Sequence, residues 1–496
     1  MDLGIDLGTS SVKLLLVDDA ARAVDEQSAP LDVARPYPGW SEQDPEDWWR
    51  ATDTAALALR ARRPAEMARV RAIGLAGQMH GATLLDARDR VLRPAILWND
   101  GRSAPQCREL ERREPRTRAV TGNKAMPGFT APKLLWVAER EPDVFRQVAR
   151  VLLPKDYLRL RLSGDAASDP SDAAGTLWLD VAARAWSPAM LAATNLDERA
   201  MPRLHEGSEP TGTIRDAVAD AWGVPRGAIV AAGAGDNAAG AVGAGVIRPG
   251  DAFLSLGTSG VYFVAGDRFA PNPERAVHAF CHCLPRTWHQ MSVLLSAASC
   301  LTWIAHATGA ANEAALLDEI ARADDRDPGV LFLPYLSGER TPHDDANARG
   351  VLVGMTQATT RADLGRAVLE GVALAFVDAQ DALLAAGTTI GRMSVIGGGA
   401  RSALWGRILA SALDRELDYH AGAEHGPSFG AARLARLAAT GEDPRDVCTP
   451  PPVAHTIAPD PALRARYAAR IEPFRRLYRD LRDGFAALAS PVSGEE

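Results

Sequence analysis

The chain has few cysteines, and we expect no export signal from the pattern of its first residues. Its 496 residues include five cysteines: Cys107, Cys281, Cys283, Cys300 and Cys448. An odd and small number of thiols in a chain of this size favours reduced cysteines over a disulfide framework. Residues 1–6 enter a strand pattern at once, without the basic segment and apolar core of a signal peptide. We therefore expect a cytoplasmic protein.

The sequence also lacks a basic cluster and a membrane-spanning run. Its net charge is −8, and the arginines alternate with acids along the chain, which predicts no nucleic-acid partner. The most apolar stretch, residues 227–247, consists mostly of Gly and Ala with Asp236 and Asn237 at its centre. Because a charge is costly inside a bilayer, we interpret this stretch as strand, glycine turn and helix, and expect no membrane partner.

One short phrase, Leu-Gly-Thr-Ser, occurs twice, at residues 7–10 and 256–259. Each copy lies between apolar runs of strand character and so predicts a β-hairpin with a glycine turn. One such turn alone is usually just a turn, but its repetition indicates two related α/β domains that face one ligand, most suitably a polyphosphate. Asp6 precedes the first copy, whereas Ser255 precedes the second. Only the first hairpin therefore offers a carboxylate to Mg²⁺.

Several other elements are predicted by local signals. Residues 71–75, 82–85 and 393–396 have strand character, and Asp44 with Pro45 announces a helix. Residues 360–384 predict a long helix, and residues 462–488 predict an amphipathic helix docked on the body.

Two charged residues near the glycine turns are candidates for chemistry. Lys13 follows the first turn. Its ammonium group could contact a phosphate there, or Lys13 could simply be a surface lysine on a strand. Asp236 lies on a glycine turn at a helix entrance, where a helix-capping aspartate is the ordinary interpretation. The adjacent Asn237 and the apolar setting favour instead a carboxylate that accepts a proton from a substrate hydroxyl.

Two glycine-rich bends at strand ends are further candidates. Met79 and His80 follow the strand that ends near residue 77; such a pair is usually structural, but here it could line the pocket of a polar ligand. Residues 397–399 are three glycines between a strand and a helix, where a ring or a phosphate can approach the backbone. This run lacks the dinucleotide-binding spacing, so we do not expect a nicotinamide cofactor.

The sequence Cys281-His282-Cys283 raises the question of zinc. Three successive ligands strain a tetrahedral site, and no second cysteine pair lies near. A strand with buried thiols is the favoured interpretation.

Taken together, these strings resemble the FGGY carbohydrate kinases, within the actin and Hsp70-like ATPase fold, over nearly the full length of the chain. The group-level strings are residues 6–10, 256–259 and 350–370, and the longer and more specific strings are residues 77–81, 98–102, 278–282 and 333–343. The resemblance implies an α/β fold class with two ribonuclease H-like (actin/Hsp70-like ATPase) domains flanking a catalytic cleft. It implies an N-terminal kinase domain over residues 1–246, a C-terminal kinase domain over residues 247–440, and a helical extension over residues 441–496.

The same resemblance implies ATP-dependent transfer of phosphate to the 5-hydroxyl of D-xylulose. Asp236 would be the general base, Asp6 would organise Mg²⁺, and the sugar would contact Met79, His80 and Asn237. The implied nucleotide-binding residues are Thr9, Ser10, Lys13, Thr258, Gly398 and Gly399.

The implied partners are D-xylulose and ATP, and a homodimer is left open. A kinase for another pentulose or polyol, and a non-catalytic nucleotide switch on the same fold, remain the alternatives. Asp236 together with Met79 and His80 favours an enzyme, because a switch needs no base beside a sugar-sized pocket.

Overall fold

The computed structural model describes residues 1–323, 327, 329–421 and 425–489. Within these residues the chain forms two large mixed β-sheets, one from each half of the sequence, with helices packed on their faces.

The first sheet has seven strands in the described residues. They are β1 (Asp2–Leu7), β2 (Ser11–Val17), β3 (Ala23–Pro30), β4 (Ala72–Gly77), β5 (Pro210–Thr213), β6 (Ile229–Ala231) and β7 (Ala234–Gly235). Their order is β5-β6-β4-β1-β2-β3, and β7 also pairs with β4.

The second sheet likewise has seven strands within the described part of the chain. They are β8 (Ala252–Leu256), β9 (Gly260–Gly266), β10 (His278–Cys281), β11 (Trp288–Leu294), β12 (Met393–Ile396), β13 (Leu417–His420) and β14 (Val453–Ile457). Their order is β10-β11-β9-β8-β12-β13-β14.

The longer helices cover the sheets and fill the space between them. They are α1 (Pro45–Arg62), α2 (Ala104–Arg113), α3 (Thr130–Arg140), α4 (Pro154–Ser163), α5 (Asp236–Ala244), α6 (Ala298–Ala307), α7 (Glu313–Arg322), α8 (Arg361–Ala385), α9 (Ala403–Leu413), α10 (Gly426–Thr440) and α11 (Pro461–Ala489). Shorter helices and strands connect them, among them the helical turn Pro170–Ala173 and the strand Thr83–Leu85.

The two sheets share one arrangement of five strands. In the first, β3, β2 and β1 are antiparallel neighbours, and β4 and then β6 continue parallel to β1. In the second, β11, β9 and β8 are antiparallel, and β12 and β13 continue parallel to β8. Both duplicated phrases form the predicted hairpin turns, at the same place in each sheet. The repeat seen in the sequence is thus a repeat of structure.

Helix boundaries follow local chemistry. Asp44 caps α1 by accepting a hydrogen bond from the backbone N–H of Glu46, as expected. Thr360 and Asp363 form a reciprocal capping box at the start of α8. The tail helix α11 buries Tyr467 and Phe474 in the core of the second half, so the predicted docking is confirmed.

Helix α10 returns from the second half of the sequence to the first sheet. It packs on β1 and β4 and against α5, so closely that a Cβ on Gly430 would lie 1.8 Å from the Ala239 carbonyl oxygen. A Cβ on Gly4 would lie 1.9 Å from the Ser428 carbonyl oxygen. Only glycine at these positions permits such an approach. The chain therefore passes between the halves three times, after α5, before α10 and after α10.

None of the helices in the described ranges is long and apolar enough to cross a membrane.

Candidate active site

Asp236 is the first residue of α5. Its Oδ1 accepts hydrogen bonds from the backbone N–H of Asn237 at 2.7 Å and from Asn237 Nδ2 at 2.9 Å. The helix cap itself is Gly235, so Asp236 is not the capping residue that the ordinary interpretation would make it. Burial raises the pKa of Asp236 to about 6, and the two hydrogen bonds from Asn237 oppose that shift. The carboxylate is therefore ionised at neutral pH and basic enough to accept a proton.

Asp6 lies on β1, directly across the strand pair from Lys13. Burial raises the pKa of Asp6 to about 7, the negative charge of Asp236 adds to the increase, and Lys13 opposes it. Asp6 Oδ1 is buried and has no hydrogen-bond partner among the described residues. A buried, unpartnered carboxylate oxygen beside a second carboxylate fits a hard divalent cation such as Mg²⁺.

The sequence left two interpretations of Lys13 open, a cation that contacts a phosphate and a surface lysine on a strand. Its Nζ is 3.2 Å from Glu26 Oε1, and both side chains are about one-third exposed. Glu26 Oε2 in turn lies 3.0 Å from His425 Nδ1. Lys13 is thus an ion-paired strand lysine in this structure, close enough to Asp6 to influence its pKa.

The first glycine turn is tied to the bend that carries Met79 and His80. Thr9 Oγ1 donates a hydrogen bond to Gln78 Oε1 at 3.0 Å and accepts one from Trp98 Nε1 at 3.0 Å. Ser10 is exposed at the tip of the same turn. Gln78 belongs to the string 77–81, but its contact with Thr9 is a feature that the sequence alone did not indicate.

His80 has a left-handed backbone, with φ of 71°, which costs a residue other than glycine roughly 1 to 3 kcal/mol. Its Nδ1 lies 2.7 Å from the Gly175 carbonyl oxygen, and its ring contacts Phe129 edge to face at 4.9 Å. Burial lowers the pKa of His80 to about 3, so the imidazole is neutral at physiological pH. Met79 is buried and lies against Gly235, one residue before Asp236. Met79 therefore lies between the His80 bend and the turn that carries Asp236.

The nucleotide candidates of the second half also meet. Strands β8 and β12 are parallel neighbours, so the turn carrying Thr258 and the run carrying Gly398 and Gly399 lie side by side. A Cβ on Gly399 would lie 2.8 Å from Leu256 Cβ, whereas one on Gly398 would meet nothing within 4 Å. The backbone at Gly398 is therefore open to an approaching ligand.

A cavity of about 200 Å³ lies between the halves. Asp236 and Asn237 line its first-half side, and Ser255 and Ile396 line the side formed by the second sheet. The beginning of α10, residues 425–429, closes one end. The candidate base thus faces the sheet whose strand ends carry the nucleotide candidates.

A buried ionic cluster beneath the site escaped sequence reasoning. Lys155 Nζ lies 2.5 Å from Asp156 Oδ1 and 3.0 Å from Asp169 Oδ1, and all three side chains are fully buried. Asp169 accepts a hydrogen bond from Ser171 Oγ, which accepts the Gly235 N–H at 3.2 Å. This series of hydrogen bonds supports the turn that carries Asp236. Its only sequence signal was an ordinary helix cap at Asp169.

The Cys281-His282-Cys283 segment forms a strand end with buried thiols, as favoured. Burial raises the pKa of Cys281 to about 12 and lowers the pKa of His282 to about 3. In the part of the chain that the structure describes, no group of three His, Cys, Asp or Glu residues is arranged to hold a metal ion.

Comparison with known families identifies this arrangement. The model of the N-terminal domain of the FGGY family of carbohydrate kinases matches residues 1–243, and that of the C-terminal domain matches residues 252–439. The chain belongs to the FGGY family of carbohydrate kinases. The family resemblance drawn from the sequence is confirmed, and the protein is a carbohydrate kinase that takes ATP as its co-substrate.

Similar proteins of this family cover nearly the whole chain. The xylulose kinase of Escherichia coli K12 is 54% identical over 97% of this chain and 99% of its own length. The xylulose kinase of Klebsiella pneumoniae is 52% identical over 97% of this chain and 99% of its own length. A crystal structure of a xyloylose (xylulose) kinase from Brucella ovis matches with a TM-score of 0.95 at 53% identity, covering 97% of this chain and 99% of that one. The crystal structure of a xylulose kinase from Rhodospirillum rubrum matches with a TM-score of 0.91 at 30% identity, covering 98% of this chain and 99% of that one. The predicted fold class is confirmed.

Proposed function

We propose that this FGGY kinase transfers the γ-phosphate of ATP to the 5-hydroxyl of D-xylulose, which yields D-xylulose 5-phosphate and ADP. Two relatives at 52% and 54% identity over almost their full length are named xylulose kinases, which supports this substrate. The observation that carries the chemistry is Asp236, a carboxylate with a pKa of about 6. It follows the glycine that lies against Met79, and it lines the cavity opposite the strand ends of the second sheet.

In the proposed mechanism Asp236 accepts the proton of the 5-hydroxyl as the new O–P bond forms. The bond from the γ-phosphorus to the bridging oxygen breaks, and ADP leaves with the electron pair. Asn237 holds Asp236 Oδ1 through two hydrogen bonds, which leaves the other oxygen for the hydroxyl. Positioning and electrostatic stabilisation supply most of the catalysis in phosphoryl transfer.

The sugar is proposed to lie against Met79, His80 and Asn237. Neutral His80 offers Nε2, because its Nδ1 is engaged with the Gly175 carbonyl oxygen. ATP is proposed to contact Thr9, Ser10 and Lys13 from the first half. From the second half, Thr258, Gly398 and Gly399 complete the nucleotide site.

Asp6 is proposed to hold Mg²⁺ together with the phosphates of ATP. Its unpartnered buried oxygen and raised pKa fit this role, since a bound cation stabilises the ionised carboxylate. Bound there, Mg²⁺ would offset the negative charge that develops on the phosphates.

The proposed division of labour follows the two halves. Residues 1–246 hold the sugar and the base, residues 247–440 hold the nucleotide, and residues 441–496 form an extension, of which 490–496 lie outside the described residues. Within these boundaries α10 packs on the first sheet, and β14 completes the second. The cytoplasmic location and the homodimer remain predictions.

A substrate panel tests the proposal. We expect kcat/KM with saturating ATP and Mg²⁺ to be highest for D-xylulose and lower for D-ribulose, L-ribulose and glycerol. Asp236→Asn should lower kcat by about 100-fold or more, the usual scale for loss of a general base. Asp197→Asn, on an exposed turn, is the matched control. If kcat/KM were higher for glycerol or L-ribulose than for D-xylulose, D-xylulose would not be the substrate, and only the assignment to the class of sugar kinases would stand.

A further inference from the structure

Lysine is scarce in this chain, and two of its lysines, Lys133 and Lys155, lie fully buried near the candidate sugar site. Of the 55 basic residues only four are lysines: Lys13, Lys124, Lys133 and Lys155. Lys133, on α3, has no exposed surface. Its Nζ donates a hydrogen bond to the His80 carbonyl oxygen at 2.9 Å. Among the described residues Lys133 forms no ion pair, and the opposing charge that acts on its amine is that of Asp100. Its amine is thus committed to one backbone atom of a predicted site residue.

The backbone of His80 is held from two sides. Thr130 Oγ1, one helical turn before Lys133 on α3, donates a second hydrogen bond to the same His80 oxygen at 3.1 Å. On the other side, the Gly175 carbonyl oxygen lies 2.7 Å from His80 Nδ1. A residue with φ of 71° keeps such a conformation only where its surroundings enforce it. The hydrogen bonds from α3 therefore set the peptide that determines where the imidazole lies.

A purely structural role explains Lys133 poorly. Burial lowers the pKa of its amine to about 7, because the charged form is poorly solvated there. A methionine would fill a similar volume without that desolvation. What the lysine adds is the hydrogen bond to His80, together with an attraction to the buried Asp100.

We propose that Lys133 is a positioning residue of the sugar site, whose amine fixes the His80 peptide and thereby the imidazole that contacts the substrate. Thr130 assists through the same oxygen. The inference rests on the proposed function, since it assumes that His80 contacts the sugar.

The test is a double-mutant cycle in the full-length protein. Lys133→Met should raise KM for D-xylulose about tenfold, the change that corresponds to one lost hydrogen bond. KM for ATP should stay within about twofold of wild type, because α3 does not reach the nucleotide turns in this proposal. In the His80→Ala background the same substitution should have no further effect on sugar KM, since there is no imidazole left to position.

Controls separate positioning from stability. Arg140→Met removes an exposed cation from the same helix and should leave both KM values at wild type. Thr130→Val should raise sugar KM in the same direction but less. If Lys133→Met fails to fold, Thr130→Val alone and combined with His80→Ala decides the question by the same comparison.

Two outcomes overturn the inference: an unchanged sugar KM in the folded variant, or an equal rise of sugar KM in the wild-type and His80→Ala backgrounds. A wild-type protein that phosphorylates glycerol better than D-xylulose would refute the proposed substrate. The cycle, run with the preferred sugar, would still judge Lys133. A wild type with no sugar kinase activity would overturn both.

Discussion

Lowering the pH should inactivate the kinase by protonating Asp236. With a pKa of about 6, Asp236 is about one-tenth ionised at pH 5, so kcat/KM for D-xylulose should fall there to about a tenth of its plateau. The base must be ionised to act, so activity is lost as the pH falls through 6 and is retained above it. His80 cannot cause this loss, because its imidazole stays neutral down to about pH 3.

The assay is ADP release measured between pH 5 and 8.5 at saturating ATP and constant ionic strength. Asp6 also has a raised pKa, of about 7, but bound Mg²⁺ should keep it ionised. Raising the Mg²⁺ concentration tenfold should therefore leave the decline near pH 6 in place. A profile that stays flat to pH 5, or an unchanged decline in the residual activity of Asp236→Asn, would refute the assignment of the base.

Three further results are expected. Asp6→Asn should raise the Mg²⁺ concentration needed for half-maximal rate, whereas Ser255→Ala at the matching position should not; equal effects would contradict a one-sided metal site. Gly175→Ala would place a Cβ 2.5 Å from His80 Nδ1, so the sugar KM should rise about tenfold with little change in the ATP KM; an unchanged sugar KM would separate His80 from the sugar. His289 is buried and stacks on Phe263, and burial lowers its pKa well below 6.5. Below pH 6.5 His289 is protonated in the unfolded state but stays neutral in the native state, so the wild type loses stability as the pH falls. His289→Phe lacks this loss, so its free energy of unfolding should rise relative to that of the wild type by about 1.4 kcal/mol per pH unit below 6.5. Urea unfolding of both proteins at pH 7.5 and 5 measures the difference. If the free energies of unfolding of the two proteins changed equally with pH, His289 would not be the source of the stability loss at low pH.

Local signals predicted the parts of the fold that depend on neighbouring residues. The strand expected over residues 393–396 is present with those bounds, and the helix expected over residues 360–384 differs by one residue at each end. The hairpin turns and the helix at Asp236 followed from glycine chemistry. These elements are set by caps, turns and periodicity, which a short window of sequence contains.

Features that depend on distant residues could not be predicted in this way. The hydrogen bond from Thr9 to Gln78 joins residues far apart in sequence, and so does the one from the Gly235 N–H to Ser171 that supports Asp236. The left-handed backbone of His80 is enforced by α3 and by Gly175, neither of which its neighbours in sequence reveal. The raised pKa values of Asp6 and Asp236 likewise arise from burial, which only the packed halves create.

The return of α10 to the first sheet determines when one face of that sheet can be covered during synthesis. Residues 1–243 contain all seven strands of the first sheet in the described residues, but the groove over β1 and β4 is filled by residues 426–440. A nascent chain must therefore carry this uncovered face until the second half has been translated. We expect fragments ending before residue 426 to bind chaperones or aggregate, and a separately supplied second half containing α10 to rescue them.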